Sequence, residues 1–332
     1  MCGPAQGIDE GDWPAAFDLA GELGLSGVLF TTARSVSPSL DRAELGAARR
    51  AAEERGLFIE IGVGCLGPDG DTAERVAELT AQIDAAVALG CDRFFGYTRT
   101  RRQGASPSHG EQLREIQRTL AALRPVLLER GCRLNVKTHE DLSSAEVVRL
   151  VETAGTDVFG IGLDVANLVV RAEDPVEVTR RLAPYVHQTH LEDVALYFAA
   201  AGLRRELRAC GDGVLDWTAI LRTLVHDAPA RHLVFEQHRG QFDAGIFQDG
   251  WFDAEPQVRP RELADLVRSA VRCEQAAAEA RDAGPADSPS EEGSTPRAAP
   301  FSRTDAAGRR AELRRSIAHV RSVLATISGE QP

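Results

Sequence analysis

Residues 158–194 decide the fold, and they read VFGIGLDVANLVVRAEDPVEVTRRLAPYVHQTHLEDV. Two short apolar runs in this stretch end in side chains that commonly bind metals, Asp164 and His190. Between the runs, Asp174 and Pro175 followed by Glu177 form a typical helix start, with an N-cap, a first-turn proline and a capping acid. The pattern predicts a strand, a helix and a second strand with polar residues at both carboxyl ends. In a parallel α/β barrel, active sites are built at that end.

The composition limits the classes of protein to which the chain can belong. Its 332 residues contain 38 Lys and Arg against 50 Asp and Glu, a formal net charge of −12. This balance argues against a nucleic-acid partner, which requires a basic surface. No apolar run approaches the ~20 residues of a membrane span and no signal peptide is found, so we expect no membrane partner and a cytoplasmic location. The six cysteines include no CxxC pair, which predicts reduced and mostly buried thiols.

The distribution of basic residues singles out one position. Lys137 is the only lysine among the 38 basic residues. An arginine stays protonated, whereas a lysine can lose its proton when it is buried or lies near another cation. Lys137 is therefore either a surface lysine present by chance or a residue required for chemistry that arginine cannot perform. Its place inside a strand pattern favours the second interpretation.

Strands and helices alternate along most of the chain. Apolar runs, each followed by a helical pattern, predict strands at residues 27–32, 57–64, 93–98, 133–139, 158–164, 186–190 and 232–238. Residues 1–9 are a weak candidate for a further strand, because they contain glycines and a proline. The alternation predicts an α/β fold, a (β/α)8 TIM barrel with a weak or truncated first strand. An open doubly wound sheet is disfavoured, because no Gly-rich phosphate turn follows a strand.

The domain organisation follows from changes in composition. We place the barrel at residues 1–280, including a long loop at residues 195–213. Residues 281–302 are rich in Pro, Ser, Gly and Ala, which predicts a disordered linker. Residues 303–332 predict an amphipathic C-terminal helix, which either docks on the barrel or makes a homodimer contact. Its apolar stripe is short for a coiled coil, which favours docking, and comprises Leu313, Ile317, Val320, Leu324 and Ile327.

The inward-facing side chains can be chosen from the sequence, because side chains alternate between the two faces of a strand. Charged and imidazole side chains from five strands are predicted to converge at one mouth of the barrel: Glu60, Lys137, His139, Asp164, His190, Glu236 and His238. Carboxylates and imidazoles from different strands are suitable ligands for Mn²⁺, Mg²⁺, Zn²⁺ or Co²⁺. Each residue alone is more often a capping or core residue, so the convergence is what indicates a site.

Five motifs resemble the sugar phosphate isomerase/epimerase superfamily, whose members have the xylose isomerase-like barrel. They are LNVKTHEDLSS (134–144), GIGLDVAN (160–167), HQTHLEDV (187–194), GDGVLDW (211–217) and LVFEQ (233–237). In that family a Glu, an Asp, a His and a second Glu at successive strand ends hold a divalent metal. Asp164, His190 and Glu236 match the last three, so the resemblance implies that they are metal ligands. It also implies proton transfer beside a carbonyl group by the two glutamates.

The sequence departs from the family at the first metal ligand. Lys137, Thr138 and His139 stand where the family has Glu-Asn-His. Three consequences are open, in order of preference. The other ligands keep a metal, helped by His139, and Lys137 moves the proton as a neutral amine. Alternatively, the Lys137 ammonium replaces the metal, pairs with Asp164 and Glu236 and binds a substrate carbonyl or carboxylate, or a neutral Lys137 forms a Schiff base. In the third case only a binding pocket remains.

We therefore expect a sugar isomerase or epimerase that acts on a small polyhydroxylated carbonyl compound, with a divalent metal. Its catalytic residues would be Lys137, Glu236 and His139. The predicted substrate-binding residues are Glu60, Asp193, Arg204 and His238, although Asp193 can instead cap a loop and Arg204 can lie on a solvated surface. The alternatives are a metal-free, lysine-dependent lyase, decarboxylase or dehydratase, and a non-catalytic sugar-binding barrel. A DNA-repair endonuclease has the same barrel type, but the acidic chain and the incomplete ligand set argue against it.

Overall fold

The computed structural model describes residues 1–4, 8–237, 242–282 and 306–329. They divide into two compact units. The barrel unit comprises Met1–Asp164, Arg181–Leu191 and Thr223–Gln237. The second unit comprises Val165–Arg180, Glu192–Arg222 and His238–Pro332.

A parallel sheet forms the centre of the barrel unit. Within the described residues it has seven strands in sequence order: β1 (Cys2–Pro4), β2 (Gly27–Phe30), β3 (Phe58–Cys65), β4 (Arg93–Tyr97), β5 (Arg133–Lys137), β6 (Phe159–Asp164) and β7 (Val186–His190). Val234 makes a parallel bridge to Cys2, and Phe235 makes one to Leu191. These two residues join the edges of the sheet and close it as a barrel. The TIM barrel is confirmed, and its first strand is as short as expected.

The helices of the barrel unit follow the strands. They are α1 (Trp13–Glu22), α2 (Arg42–Glu54), α3 (Thr72–Ala88), α4 (His109–Arg130) and α5 (Ser144–Ala154). A capping box formed by Ser143 and Glu146 is present at the start of α5. Helix α4 ends at Gly131, whose φ of 61° is a left-handed conformation that glycine adopts without strain.

Further helices are α6 (Pro175–Leu182), α7 (Trp217–Asp227), α8 (Trp251–Ala254), α9 (Pro260–Asp282) and α10 (Ala306–Gly329). Asp174 caps α6 as predicted, since its side chain accepts hydrogen bonds from the backbone of Val176 and Glu177. No helix within the described residues has both the length and the apolar composition that crossing a bilayer requires. The six cysteines all lie in the described part, and none forms a disulfide.

The prediction of a long loop at residues 195–213 is wrong. In the described residues, β8 (Asp193–Ala199), β9 (Gly202–Arg208) and β10 (Phe242–Ala244) form an antiparallel sheet in the second unit. The stretch alternates with the period of a strand, so that Leu203 and Leu207 are buried while Arg204 is half-buried. Its tight turn contains alanines and Gly202 rather than an Asn-Gly or Asp-Gly pair, so the usual hairpin signal is missing.

The C-terminal helix packs within the second unit. Leu313, Ile317 and Val320 are buried, and the hydroxyl of Ser316 accepts a hydrogen bond from the backbone N–H of Cys210. These contacts agree with the docking interpretation and leave a homodimer as a prediction. The predicted linker at residues 281–302 lies outside the described residues from position 283 onward.

Prediction for a barrel glycine. Gly62 of β3 allows the sheet to close tightly, because a Cβ atom there would overlap the carbonyl oxygen of Thr31 and lie 2.8 Å from the Phe95 ring. We expect Gly62→Ala to lower the free energy of unfolding by about 1–3 kcal/mol, the usual cost of overpacking. Gly21→Ala in α1 is the matched control, because a Cβ there meets no atom within 4 Å. It should stabilise the protein by about 0.5–1 kcal/mol in the same urea titration. Equal effects of both substitutions would contradict this account.

Candidate active site

Four side chains meet at the carboxyl ends of adjacent strands in the barrel unit. Lys137, Asp164 and His190 are the last residues of β5, β6 and β7, and Glu236 directly follows the residues that close the barrel. Asp164 lies opposite His190 in the strand register. All four side chains are buried, and we call them the lysine cluster. The sequence predicted each of these residues and their convergence.

The lysine ammonium holds the cluster together. Lys137 Nζ lies 3.1 Å from Asp164 Oδ2 and 3.0 Å from Glu236 Oε2. Glu236 Oε2 also lies 3.0 Å from His190 Nδ1. The ring of Phe95 forms one wall, since its centroid is 5.6 Å from Lys137 Nζ and 4.5 Å from the His190 ring. Glu236 thus connects the ammonium to the imidazole.

The cluster fixes the protonation of its bases. Burial would lower the pKa of Lys137, but the charges and hydrogen bonds of Glu236 and Asp164 outweigh it and hold the pKa above its usual value. Burial, followed by the Lys137 charge, lowers the pKa of His190. Lys137 is therefore an ammonium and His190 a neutral imidazole at neutral pH. The sequence-based alternatives that need a neutral lysine, as proton acceptor or Schiff base, do not fit this arrangement.

The expected divalent metal does not fit this arrangement either. A metal would need carboxylate oxygens at about 2.0–2.2 Å, yet Nζ already lies between the oxygens of Asp164 and Glu236 at hydrogen-bonding distance. The ammonium would also repel a second cation placed beside it. Among the described residues, no group of three or more His, Cys, Asp and Glu side chains is arranged to hold a metal ion. We therefore derive no reaction step through a metal.

Thr138 connects the lysine strand to the aspartate strand. Its hydroxyl donates to the carbonyl oxygen of Asp164 at 3.0 Å and accepts from the backbone N–H of the same residue at 2.7 Å. This pair of bonds fixes the end of β6 next to the end of β5. The middle residue of the Lys-Thr-His triplet thus positions Asp164 beside Lys137.

Glu60 belongs to a different layer of the barrel. Its carboxylate binds Gln188 and His232 Nδ1, the latter at 2.9 Å, and Gln188 in turn accepts from Asn135. Asn135 and Gln188 each lie two residues before the cluster residues of their strands, toward the amino end. The prediction that Glu60 points inward is correct, but its placement at the catalytic mouth is wrong. A period of two identifies the face of a strand and not the depth along it.

His139 lies beyond the end of β5, in the loop that leads to α5. Its Nδ1 is 3.1 Å from Asp141 Oδ1, and its Nε2 is 3.1 Å from Glu140 Oε2. Asp141 Oδ2 in turn accepts bonds from the Thr98 hydroxyl and the Thr100 backbone. The structure thus places His139 in a contact between the loops after β4 and β5, and its catalytic role stays a prediction.

The remaining predicted site residues lie in the second unit or outside the described part. Asp193 is buried and accepts hydrogen bonds from the Trp217 indole and the Gly211 backbone, which makes it a loop-organising residue. Burial raises the pKa of Asp193, and these hydrogen bonds oppose that rise. Arg204 pairs with Asp243 through two hydrogen bonds. Both contacts occupy the groups that substrate binding would need. His238 lies outside the described residues.

Sequence reasoning missed Phe95, Tyr97 and Arg99, which occupy the carboxyl half of β4 and the loop after it. Phe95 contacts the lysine cluster, and the Tyr97 ring lies 5.5 Å from the His139 ring. A signal was available for two of them, because Phe95 and Tyr97 alternate with period two on one face of a strand that was predicted correctly. The candidates predicted at the strand ends are acids, histidines and the lysine, and they include no aromatic residue.

A comparison with protein families identifies the class of protein. The xylose isomerase-like TIM barrel family matches residues 17–269. The chain therefore belongs to the xylose isomerase-like TIM barrel family. The lysine cluster stands at the strand ends where the sequence resemblance implies the metal site of that family.

Two relatives match part of the chain. YihM of Escherichia coli K12, whose function is uncharacterized, is 27% identical over 220 residues, which is 63% of this chain and 61% of that protein. The 3-oxo-isoapionate decarboxylase of Pectobacterium atrosepticum is 27% identical over 225 residues, 64% of this chain and 77% of that protein. The chain thus covers less than two thirds of the length of YihM.

Solved structures agree on the fold. A xylose isomerase domain protein from Alicyclobacillus acidocaldarius has a TM-score of 0.57 at 19% identity, covering 81% of this chain and 98% of that one. A D-psicose 3-epimerase from Clostridium cellulolyticum H10 has a TM-score of 0.58 at 13% identity, covering 82% and 98%. At these identities the likeness establishes the fold alone.

Prediction for the loop beside the site. Glu146 is buried and bonds to Arg102 and His109 of the preceding loop and helix. Burial would raise the pKa of Glu146, but the bond to His109 and the charge of Arg102 lower it from 4.5 to about 2. A carboxylate whose pKa is lower in the folded state stabilises the fold above its unfolded pKa. Glu146→Gln should therefore be about 3 kcal/mol less stable than the native protein near neutral pH.

The difference between the two proteins should shrink as the pH falls from 4.5 toward 2, where the native carboxylate becomes protonated. Urea denaturation of both proteins across this range measures it. A difference that stays constant with pH would contradict the assignment.

Proposed function

We propose that this chain is a metal-independent enzyme that decarboxylates a small polyhydroxylated 3-oxo acid. The observation that carries the proposal is the Lys137 ammonium, held between Asp164 and Glu236 at the strand ends. A fixed positive charge in a buried site stabilises negative charge that develops on a substrate oxygen. Membership of the enzyme-rich xylose isomerase-like family supports an enzyme. The similarity to the 3-oxo-isoapionate decarboxylase of Pectobacterium atrosepticum supports this reaction type.

The proposed reaction requires few groups from the protein. The ketone oxygen of the substrate accepts a hydrogen bond from the Lys137 ammonium. The bond between the carboxylate carbon and its neighbour breaks, CO₂ leaves, and the electron pair forms an enolate whose oxygen faces the ammonium. A water molecule then protonates the carbon, and the hydroxide that it leaves combines with the released CO₂ to give bicarbonate. The protein supplies the electrophile and excludes bulk water, which strengthens the interaction between ammonium and enolate.

Decarboxylation suits the cluster better than epimerisation through two glutamates. Epimerisation removes a proton from one side of a carbon and returns it to the other, for which the family resemblance implies one glutamate on each side. Lys137 replaces the first of them, and its raised pKa prevents it from accepting a proton at neutral pH. Decarboxylation needs no proton acceptor, because no proton is removed: the negative charge of the substrate carboxylate passes to the enolate when neutral CO₂ leaves.

Isomerisation by a single base is the second candidate, and His190 supports it. His190 Nδ1 is bonded to Glu236, while the buried Nε2 has no hydrogen-bond partner among the residues that the structure describes. A neutral imidazole that donates through Nδ1 can accept a proton at Nε2. Release of CO₂ from 3-oxo sugar acids would support the lead proposal. Exchange of a substrate hydrogen with deuterium from the solvent, without CO₂ release, would support isomerisation.

Prediction for metal dependence. We expect purified native protein to keep its full activity on oxo-acid substrates after dialysis against EDTA. Lys137→Glu restores the carboxylate that the family resemblance implies, so it should bind Mn²⁺ while the native protein does not. Elemental analysis and Mn²⁺ titration calorimetry measure both. Loss of native activity in EDTA, with recovery on addition of Mn²⁺, would overturn the metal-independent mechanism.

Prediction for the lysine. Removing the ammonium in Lys137→Met should lower kcat by roughly 10²–10³-fold, as expected for the loss of one preorganised charge. The substitution also leaves buried carboxylates without their partner, at about 3–5 kcal/mol. The double variant Lys137→Met with Asp164→Asn removes one of these charges, so that Glu236 can pair with a protonated His190. Circular dichroism verifies folding of each variant. A folded variant that retains native kcat would exclude Lys137 as the electrophile.

A further inference from the structure

Arg99 is an exposed arginine at the mouth end of β4, two residues after the strand ends. Other arginines in the barrel unit pair with acids, such as Arg34 with Glu78. Within the described residues no carboxylate lies within ion-pair distance of Arg99. The neighbouring Asp141 already binds Thr98, Thr100 and His139. The guanidinium of Arg99 is therefore charged, accessible and not neutralised by the chain around it.

Tyr97 holds this guanidinium in place. The Arg99 Cζ atom lies 5.2 Å from the centroid of the Tyr97 ring, and Nη2 donates a hydrogen bond to the phenol oxygen at 3.2 Å. The backbone N–H of Arg99 is bonded to the carbonyl oxygen of Gly67 at 3.0 Å. A guanidinium stacked on an aromatic ring keeps its remaining N–H donors in a fixed plane. Such a group is preorganised to bind a carboxylate through two parallel hydrogen bonds.

The register of the sheet places this pair next to the lysine cluster. Gly96 of β4 lies opposite Val136 of β5, so the following residues, Tyr97 and Lys137, lie at the same level. On one face of β4, Phe95 contacts the Lys137 ammonium and Tyr97 comes next, and Arg99 follows in the loop after the strand. Two residues of extended chain span about 7 Å. The backbone of Arg99 therefore lies at most about this distance beyond the level of Lys137, a separation that a short carbon chain can bridge.

The local charge also distinguishes the lysine cluster from the position of Arg99. Lys137, Asp164 and Glu236 carry one positive and two negative formal charges, so a substrate carboxylate would be repelled from the cluster itself. A ketone oxygen, which is neutral, can still accept a bond from the ammonium. An anionic substrate therefore needs a separate cation at the distance of its carboxylate, and Arg99 provides that charge.

We propose that Arg99, oriented by Tyr97, binds the carboxylate of an acyclic oxo acid whose ketone lies at Lys137. This inference rests on the proposed function for the position of the ketone, and it adds the group that selects acids over neutral sugars. Arg99 orients the carboxylate and contacts the solvent, so its contribution is made mainly to binding. Its removal should raise KM more than it lowers kcat.

The test compares two molecules that have the same carbon chain and hydroxyl groups. Gluconate has a carboxylate where glucitol has an alcohol, and neither needs to react. Isothermal titration calorimetry on the native protein should find tighter binding of gluconate. Arg99→Gln should weaken gluconate binding by roughly tenfold to a hundredfold, the value of a charged hydrogen-bond pair, and leave glucitol binding unchanged.

Arg101→Gln is the matched control, because Arg101 lies in the same loop, its side chain is 75% exposed, and its nearest acid is Asp69 at 3.8 Å. It should leave gluconate binding unchanged. Equal weakening by both variants, equal native affinity for the two ligands, or no binding of gluconate at millimolar concentration would overturn the proposal. The test is independent of turnover. Selectivity for gluconate without CO₂ release from oxo acids would reject the proposed reaction and retain the carboxylate site.

Discussion

The structure of the site depends on one buried interaction, the pairing of the Lys137 ammonium with Asp164 and Glu236. Moving these charges out of water costs several kcal/mol per ion, and only close pairing with further hydrogen bonds offsets that cost. The three residues come from three positions around the barrel, so the pairing requires the end of β5, the end of β6 and the closing residues to be in register. Thr138 contributes by bonding to both the N–H and the carbonyl of Asp164. The cluster is therefore a fixed electrostatic centre, which is a requirement for catalysis by preorganised charge.

Under the proposed function, Lys137 would let the site of this family change its chemistry while keeping its formal charge. Three carboxylates around a divalent cation carry a formal charge of minus one. Two carboxylates around an ammonium carry the same charge, so replacing a glutamate by Lys137 compensates for loss of the metal within a single substitution. The neighbouring His190, which carries no charge in either arrangement, keeps its bond to Glu236. The surrounding barrel experiences a similar field in both cases, and this accounts for the retention of Asp164, His190 and Glu236 beside the substituted position.

The sequence predicted the parts of the structure that depend on periodicity. The prediction failed where the position of a residue along the barrel axis, or the geometry of a turn, determines the structure. Strand and helix alternation predicted the barrel, and the strand-end positions of Lys137, Asp164, His190 and Glu236 followed from the same pattern. Glu60 was misplaced because alternation does not distinguish layers inside a barrel. The sequence predicts a loop where β8 and β9 form a hairpin, because the turn between them lacks the Asn-Gly or Asp-Gly pair that usually indicates a hairpin. The pairing of Lys137 with acids, and hence its raised pKa, depends on distances that no spacing in the sequence determines.

An ammonium at the position of a metal would restrict the reactions that the cluster can support. A divalent cation can bind two adjacent oxygens of a substrate at once and stabilise the enediolate through which sugar isomerases move a proton. An ammonium donates single, directional hydrogen bonds and is best matched to one developing charge, as on an enolate oxygen. A reaction with one such charge and no proton abstraction is the loss of CO₂ from a 3-oxo acid. The carboxylate of that substrate cannot lie at the cluster, which is already negative. The position of Arg99 on Tyr97, in the loop after β4, supplies the second charge that such a substrate requires.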